Sequence, residues 1–437
     1  MKKIIVFFAL VLLAATAFAQ KESDFTINAE GIITAFNGFD TEIVIPARIG
    51  NRQVTGIAGS VFERSGITAL TLPQGIRTID GGAFSGNELT TLTIGNGVSI
   101  GTFSSKFFGD TSIDSSTVIT LGANCTFGSR PFRESLYFDY HCNGRKAGTY
   151  TVREGYPRKK EGDFTFVETQ YGALITEASN ALPAALRIPA ELGGTAVRGI
   201  GDGAFRYKRI SRMQLPEGLV FIDNQAFEQN GLTALTIPNS VAYIGDKAFS
   251  ANRIAGALTI PNGVTYIGDY AFADYNQLTS VTIGNGVISI GVGAFRGNAL
   301  TSVTIPNSIT SIGDLVFQSN KLTSVTIPNS VTSIGSLAFQ SNQLTSVTIP
   351  NSVTFIGSGA FSDNKLASVT IPNSVTTIRD RAFLQNPLTS ITIGANVRLG
   401  GNYVDSFDYS FDGFYSNSGR AAGRYVVNPN THRWARG

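Results

Sequence analysis

A 22-residue unit recurs through most of this chain, and that repeat constrains the fold more than any other feature. The segment LTSVTIPNSVTSIG at Leu322–Gly335 returns with few changes at Leu300, Leu344 and Leu366. The phenylalanine that closes each unit recurs every 22 or 23 residues, at positions 62 and 84 and then at 205, 227, 249, 272, 295, 317, 339, 361 and 383. A fixed period of this length is typical of solenoids, in which each coil packs only against its neighbours.

Each unit contains one strand pattern of the leucine-rich-repeat type. Leu322, Val325, Ile327 and Val331 reproduce most of the L-x-x-L-x-L signature. Because side chains alternate along a strand, Val325 and Ile327 are predicted to face the core and Ser324 and its equivalents to face outward. The pattern predicts a β-rich solenoid of 22–23-residue coils with stacked parallel strands and irregular caps.

Three further residue types recur in phase with the strand. The phenylalanines are expected to stack from coil to coil, at the spacing of adjacent strands. Glycines recur after an isoleucine, and we expect them to take backbone angles that other residues resist; they are at 245, 268, 291, 313, 335 and 357. Asparagines recur before each strand and are expected to hydrogen-bond backbone groups in turns; they are at 252, 276, 298, 320, 342, 364 and 386.

These units, which read IPxSVTxIGxxAFxxN, resemble the BspA-like leucine-rich repeat family of bacteria over nearly all of the chain after its leader. The resemblance implies an exported or surface protein, since several members act as adhesins for host proteins or other bacteria. The spirochaete members are the most similar. The adhesive role is an implication of the resemblance and does not follow from the period.

The chain begins with a predicted signal peptide, residues 1–19. A Lys-Lys start precedes an apolar run and the small-x-small pattern Ala17-Phe18-Ala19. The alternative is an uncleaved anchor, but the run is shorter than the roughly 20 residues of a membrane span. No later stretch is apolar enough to cross a membrane, so the mature protein is expected at the cell surface, secreted or in the periplasm.

The same plan occurs twice after the leader. Asp24-Phe25-Thr26-Ile27 and Asp163-Phe164-Thr165-Phe166 each open an array, and GRKAGTY and GRAAGRY each follow one. This predicts a short module with its cap at residues 20–160 and a long module with a C-terminal cap at 161–437. The alternative is one continuous solenoid with an irregular middle.

Charge and reactive residues argue against several functions. Loss of Lys2 and Lys3 with the leader lowers the net charge from +3 to +1, which removes the case for a nucleic-acid partner. Cys125 and Cys142 either form a disulfide or remain thiols.

Few residues of this sequence are suited to catalysis. The two histidines, at 141 and 432, lie in the cap regions, and no phosphate-loop or nucleophile-elbow motif occurs. The aspartates at 246, 269, 314 and 380 form a broken column, which we interpret as solvated turn positions rather than a calcium ladder. The prediction is a protein without catalysis, metal or cofactor, the alternative being a site hidden in a cap.

Candidate ligand-binding residues fall into two groups. Outward serines and threonines form polar columns along the strands; their alternative role is only to solubilise a strand face. Tyrosines and arginines, the residue types of interface hot spots, gather in coils 205–275, while the near-identical coils 300–375 are interpreted as spacers. The candidates are Tyr207, Arg209, Arg212, Tyr243, Tyr266, Tyr270, Tyr275, Ser280, Thr282, Ser302, Thr304, Ser324 and Thr326.

The function predicted from these features is non-catalytic adhesion or ligand binding by an exported protein. The expected partner is a host extracellular or bacterial surface protein, with a glycan as a second option. The alternative is a structural or self-associating protein of the cell envelope.

Overall fold

The computed structural model describes residues 21–437 apart from 81, 101–116, 124, 128–147, 152–156, 401–405, 408–410 and 429–432. The predicted leader lies outside these residues. The chain forms two compact units: one runs to Pro157 and includes Thr169–Tyr171, and the other consists of Arg158–Glu168 and Gly172–Gly437. The division into modules 20–160 and 161–437, with the continuous solenoid as its alternative, stays a prediction.

The fold is a β-solenoid of about 14 coils with a spacing of about 22 residues, as the period predicts. Most coils contribute one strand before the Pro-Asn turn, which we assign to ladder A, and one short strand after it, which we assign to ladder B. The chain then passes through the turn that contains the recurrent phenylalanine, here called the Phe turn. In the coil that begins at Leu322, the Phe turn is residues 336–341.

The first unit opens with a 3-10 helix, Glu22–Asp24, and an antiparallel pair, β1 and β2. Its ladder A has the order β13-β11-β9-β7-β3, and ladder B begins as β1-β2-β6-β8. The strands are β1 Phe25–Ile27, β2 Ile32–Phe36, β3 Glu42–Val44, β4 Arg48–Ile49, β5 Arg52–Gln53, β6 Gly56–Ile57, β7 Ala69–Leu72, β8 Thr78–Ile79, β9 Thr91–Ile94, β10 Ser99–Ile100, β11 Val118–Leu121, β12 Thr126–Phe127 and β13 Gly148–Thr151.

The second unit has the longer array, and its ladder A is built from short parallel strands. They are β17 Ala185–Arg187, β20 Arg212–Gln214, β23 Ala255–Ile260, β25 Gln277–Ile283, β27 Ser302–Thr304, β31 Ser368–Thr370 and β33 Ser390–Ile393. After the helix α1, Phe411–Asn417, the chain adds β35 Gly423–Val427, which is antiparallel to β33, and then β36 Trp434–Arg436, which is antiparallel to β35. These last elements form the C-terminal cap.

Ladder B of the second unit starts from an antiparallel hairpin and continues as parallel pairs to β26, and a second run of parallel pairs extends from β28 to β34. Its strands are β14 Lys159–Glu161, β15 Phe164–Thr169, β16 Gly172–Ala178, β19 Thr195–Ile200, β21 Phe221–Ile222, β22 Tyr243–Ile244, β24 Tyr266–Ile267, β26 Ser289–Ile290, β28 Ser311–Ile312, β29 Ser333–Ile334, β30 Phe355–Ile356, β32 Thr377–Ile378 and β34 Arg398–Leu399. The small strand β18, Glu191–Leu192, pairs with β19.

The predicted phenylalanine stack is confirmed. Phe317, Phe339 and Phe361 have no exposed surface, and their ring centroids are 5.5 and 5.4 Å apart in near-parallel planes. Rings from Phe205 to Phe407 continue this arrangement. Each ring is therefore covered by the coils on either side of it, which a single coil could not do alone.

The asparagines bind the backbone, as predicted, and they join neighbouring coils. Asn342 Nδ2 donates to the carbonyl oxygens of Phe317 and Phe339 at 2.9 and 3.1 Å, and its Oδ1 accepts the N–H of Leu322 at 3.0 Å. Asn87 makes the equivalent three bonds in the first unit. These buried amides satisfy backbone groups that the turn leaves outside the ladders.

The recurrent glycines have a different role from the predicted one. Gly245, Gly335 and their equivalents do not have the left-handed φ that would require glycine. Instead, a Cβ added at Gly335 would lie 2.5 Å from Asp314 Oδ1 and 2.6 Å from the carbonyl carbon of Gly313. The missing side chain allows the backbones of successive coils to approach closely; at Gly313 the space is larger, with a nearest atom at 3.4 Å.

The left-handed positions lie two residues before and two residues after each phenylalanine. Leu337 has φ of 58° and Ser341 has φ of 53° on either side of Phe339. Most coils have a residue other than glycine at one or both positions, although left-handed backbone costs such a residue roughly 1–2 kcal/mol. Strain is thus distributed along one edge of the solenoid.

Ser319→Gly should therefore raise the free energy of unfolding by about 0.5–1 kcal/mol. Ser319 is exposed with φ of 56°, and its N–H donates to the carbonyl of Gln340, a bond that glycine keeps. The measurement is equilibrium urea unfolding. Lys321→Gly, at an exposed position outside the left-handed set, is the control and should be destabilising; a gain at both positions would contradict the strain argument.

Candidate functional site

The outer face of ladder A carries the predicted hydroxyl columns. Ser302, Thr304, Ser324 and Thr326 are exposed, while Val325 between two of them is buried. Thr282 is also exposed and Ser280 is half-buried. The face is therefore an uncharged surface of regularly spaced donors and acceptors through these coils.

Strand pairing in ladder A lapses over part of this face. The strands pair continuously over β23, β25 and β27, and again from β31 through β33 to β36. In the described coils between them, Ser324–Thr326 and Ser346–Thr348 contribute one bridge, Thr326 to Thr348. The surface has an open depression of about 670 Å³ at the C-terminal end of this gap.

We name this depression the ladder A groove. It is lined by residues 346–349, 351, 368–373, 392–393 and 422–423. Hydroxyls of Ser346, Thr348, Ser368 and Thr370 line it together with apolar atoms of Val347. Residues 346–373 of this lining belong to the coils 300–375 that are interpreted as spacers, whereas 392–393 and 422–423 lie beyond them.

A second surface, here called the tyrosine edge, lies along the Phe turns and comprises Tyr207, Tyr270, Tyr275, Arg206 and Arg209. Tyr207 is 55% exposed, and the guanidinium carbon of Arg206 lies 4.6 Å from its ring centroid. Arg206 is itself fixed, because its Nε is 2.6 Å from the buried Glu228 carboxylate and its Nη1 donates to Gln225 Oε1 at 3.0 Å. The ring is thus backed by a held cation.

Tyr270 and Tyr275 flank Phe272 in a coil that has one extra residue. Both have left-handed backbone, with φ of 54° and 61°. Tyr275 is 79% exposed, whereas the half-buried ring of Tyr270 lies against Gly293 in the next coil. The insertion projects Tyr275 from the edge.

The remaining predicted residues do not join this edge. Tyr243 and Tyr266 are only 5% and 3% exposed and stack in ladder B with a centroid distance of 5.1 Å, so the expectation that they form a surface site is wrong. Arg212 is exposed on β20 of ladder A, whereas Arg209 of the tyrosine edge is exposed with φ of 61°. The candidates therefore occupy three faces and do not form one site.

The aspartate column is half-buried and connects coils, which corrects its interpretation as solvated turns. Asp246 Oδ1 accepts the N–H of Asp269 at 2.8 Å, and Asp269 Oδ1 accepts the N–H of Val292 at 2.6 Å. Burial raises the pKa of Asp269 to about 7 from an ordinary 3.8; the Asp246 carboxylate raises it further and the Val292 N–H opposes the shift.

Asp269→Asn should raise the free energy of unfolding by about 1–3 kcal/mol at about pH 8 and change it little below about pH 4. The folded protein keeps a proton on Asp269 up to about pH 7, whereas the unfolded chain releases it near 3.8. Stability therefore falls as the pH rises between these values, and asparagine removes that loss. Its Oδ1 can still accept the Val292 N–H, as Asn224 Oδ1 does for Asp246.

The measurement is urea unfolding at a series of pH values. Asp314→Asn is the matched control. Asp314 also accepts the N–H of a residue in the next coil, Ser336. The neighbouring coils have Val292 and Ser336 at the equivalent position, so the column has no second carboxylate beside Asp314. An Asp269→Asn gain that does not grow with pH would contradict the assignment.

The described part of the chain has no cluster of three or more His, Cys, Asp or Glu side chains that could hold a metal ion. Cys125 is buried, and its Sγ donates to the carbonyl oxygens of Gly95 and Gly122 at 3.2 and 3.3 Å. Cys142, His141 and His432 lie outside the described residues, so the disulfide stays a prediction. None of the helices in the described part of the chain has the length and apolar character that crossing a membrane requires.

The parallel ladders, with their buried phenylalanine and asparagine columns, define a leucine-rich-repeat solenoid. The model of the BspA type leucine-rich repeat region matches in six copies over residues 34–137, 198–323 and 289–410. The chain belongs to this BspA-type leucine-rich repeat family.

Several solved structures are similar to this chain. A leucine-rich repeat protein from Bacteroides ovatus ATCC 8483 is 26% identical, with a TM-score of 0.46, over 58% of this chain and 68% of its own. A leucine-rich cell surface protein from Faecalibacterium prausnitzii A2-165 is 21% identical, with a TM-score of 0.30, over 89% and 99%. The T. pallidum leucine-rich repeat protein is 20% identical, with a TM-score of 0.23, over 61% and 100%. No curated protein sequence matches the chain.

Proposed function

We propose that this is an exported, non-catalytic adhesion protein that binds a protein ligand through its tyrosine edge. The observation that carries the proposal is the placement of Tyr207 and Tyr275, which are largely exposed at left-handed backbone positions. Left-handed backbone recurs at other residues of the Phe turns, such as Gln229 and Ser319, and these two positions differ in presenting large aromatic rings to solvent. Tyrosine and arginine are also the side chains that dominate protein interfaces.

The edge is preorganised for binding. Glu228 and Gln225 fix Arg206, and Arg206 covers one part of the Tyr207 ring. Side chains that are already ordered lose little conformational entropy when a partner binds. The edge therefore offers aromatic contact area at low entropic cost.

Export is supported by the leader at residues 1–19 and by membership of a family with surface proteins. The test is protease treatment of intact cells. Digestion of the protein before the envelope is broken is expected; protection until the envelope is broken would contradict a role in adhesion.

Self-association through sheet edges is disfavoured by charge. Two of the outermost strands of the second unit's sheets carry basic side chains: β14, with Lys159 and Lys160, and β36, with Arg436. Basic residues on outer strands discourage edge-to-edge pairing. Sedimentation of the mature protein is expected to show a mass that does not depend on concentration.

The binding site is tested with Tyr207→Gly combined with Tyr275→Gly. Glycine relieves the left-handed strain, so the double variant should be at least as stable as the parent while binding at least 10-fold more weakly. Surface plasmon resonance against purified host extracellular and bacterial surface proteins measures the affinity. Gln229→Gly, at the equivalent left-handed position of another coil, is the matched control and should leave binding unchanged. Unchanged affinity in the double variant would overturn the placement of the site.

A further inference from the structure

We propose that the ladder A groove binds a neutral polysaccharide chain, at a site separate from the tyrosine edge. The groove has a volume of about 670 Å³, within the range of ligand-binding pockets. It crosses the coils that contain Ser346, Ser368 and Thr392 and ends at Ala422–Gly423. Successive coils are about 4.8 Å apart, so it accommodates a short stretch of a longer chain.

The lining of the groove selects an uncharged ligand. All of its polar side chains are hydroxyls or amides, such as those of Thr348, Thr370 and Asn373, and none is charged. A charged ligand would lose water there without gaining an ion pair, which is unfavourable. Hydroxyls of a neutral sugar both donate and accept, and so match serine, threonine and asparagine side chains.

The lapse in strand pairing reaches only the first coil of the groove, at Ser346–Thr348, because Ser368–Thr370 and Thr392–Ile393 belong to the paired strands β31 and β33. Ser302–Thr304 has the same residues in the same columns, but it pairs with β25. At Ser346–Thr348 the backbone joins ladder A only through the bridge at Thr348. Backbone polar groups outside a ladder are satisfied by water or by a ligand, which adds hydrogen-bonding capacity in this part of the face.

Apolar atoms complete the match. Val369 and Ile371 beside the groove are buried in the core, whereas Val347 and Pro372 are half-buried and line it between the hydroxyls. The ring C–H groups of a sugar can pack on these aliphatic atoms while its hydroxyls reach the polar columns. An extended peptide is the competing occupant, but its N–H and C=O groups could pair only with Ser346–Thr348, because Ser368–Thr370 and Ser390–Ile393 are already paired in the ladder.

The experiment measures binding of the full chain to four probes by affinity electrophoresis: mannan, dextran, a soluble β-1,4-glucan and polygalacturonate. Retardation by at least one of the three neutral polymers, and none by polygalacturonate, is expected. Thr348→Arg with Thr370→Arg fills the groove and should weaken that binding at least 10-fold. Arginine is compatible with this face, since Arg187 and Arg212 are exposed on ladder A.

Thr282→Arg with Thr304→Arg is the matched control, because it places the same charges in the same column outside the groove. It should leave binding unchanged, and both pairs are checked for unaltered urea midpoints. The proposal is overturned if no neutral polymer retards the protein, if only polygalacturonate does, if both arginine pairs weaken binding equally, or if unstructured peptides compete fully with the polymer.

The two proposals fail separately. The groove variants should retain the protein-binding affinity of the tyrosine edge, and Tyr207→Gly with Tyr275→Gly should retain polysaccharide retardation.

Discussion

Asn342→Ala should lower the free energy of unfolding by about 4 kcal/mol, although it removes only one small side chain. The substitution leaves the N–H of Leu322 and the carbonyls of Phe317 and Phe339 without their partner in a buried region. Each unsatisfied buried group costs about 1–3 kcal/mol. Neighbouring coils also stabilise each other, so the loss should spread beyond one coil.

Urea unfolding with a hydrogen-exchange readout measures both effects: the loss of stability, and reduced protection of the Leu322 amide and its neighbours. Asn329→Ala, at an exposed asparagine of the Pro-Asn turn in the same coil, is the control and should cost under about 1 kcal/mol. Equal losses at both positions would refute the assignment of the asparagine column.

Gly335→Ala is the second large effect, with an expected loss of about 3 kcal/mol or more. The new methyl group would lie within 2.7 Å of Gly313 and Asp314 backbone atoms in the preceding coil. Backbone cannot rotate away as a side chain can, so the two coils must separate. Separation would also weaken the ladder B pair between Ser311 and Ser333.

The same substitution at Gly313 is the control, because the nearest atom to an added Cβ there is 3.4 Å away. Both glycines follow an isoleucine in ladder B, so sequence context is matched. Thermal and urea unfolding should separate the two variants clearly; similar losses would show that backbone conformation and not coil contact requires glycine.

The sequence predicts the repeat and its buried columns because these are periodic. Phenylalanine and asparagine each have one physical role at their position, and the structure confirms both. Glycine has two: it permits left-handed backbone and it permits close approach. One sequence does not separate these roles, so the prediction for Gly335 and its equivalents named the wrong one.

The candidate site was less predictable. Tyr243 and Tyr266 share their residue type with Tyr275, and only the fold shows that two of these rings are buried and one is exposed. The ladder A groove has no sequence signal, because the coils at Ser302 and Ser346 have the same strand residues. Pairing between strands depends on the spacing of whole coils, which a repeated sequence does not encode coil by coil.

The asparagine bonds have a direction along the chain. Asn342 binds backbone groups 20 and 25 residues before it, at Leu322 and Phe317, and Asn364 does the same at Leu344 and Phe339. During synthesis from the N-terminus, each coil is thus completed by the arrival of the next one. The order of completion follows the order of emergence, and the growing array has its least protected coil at its newest end.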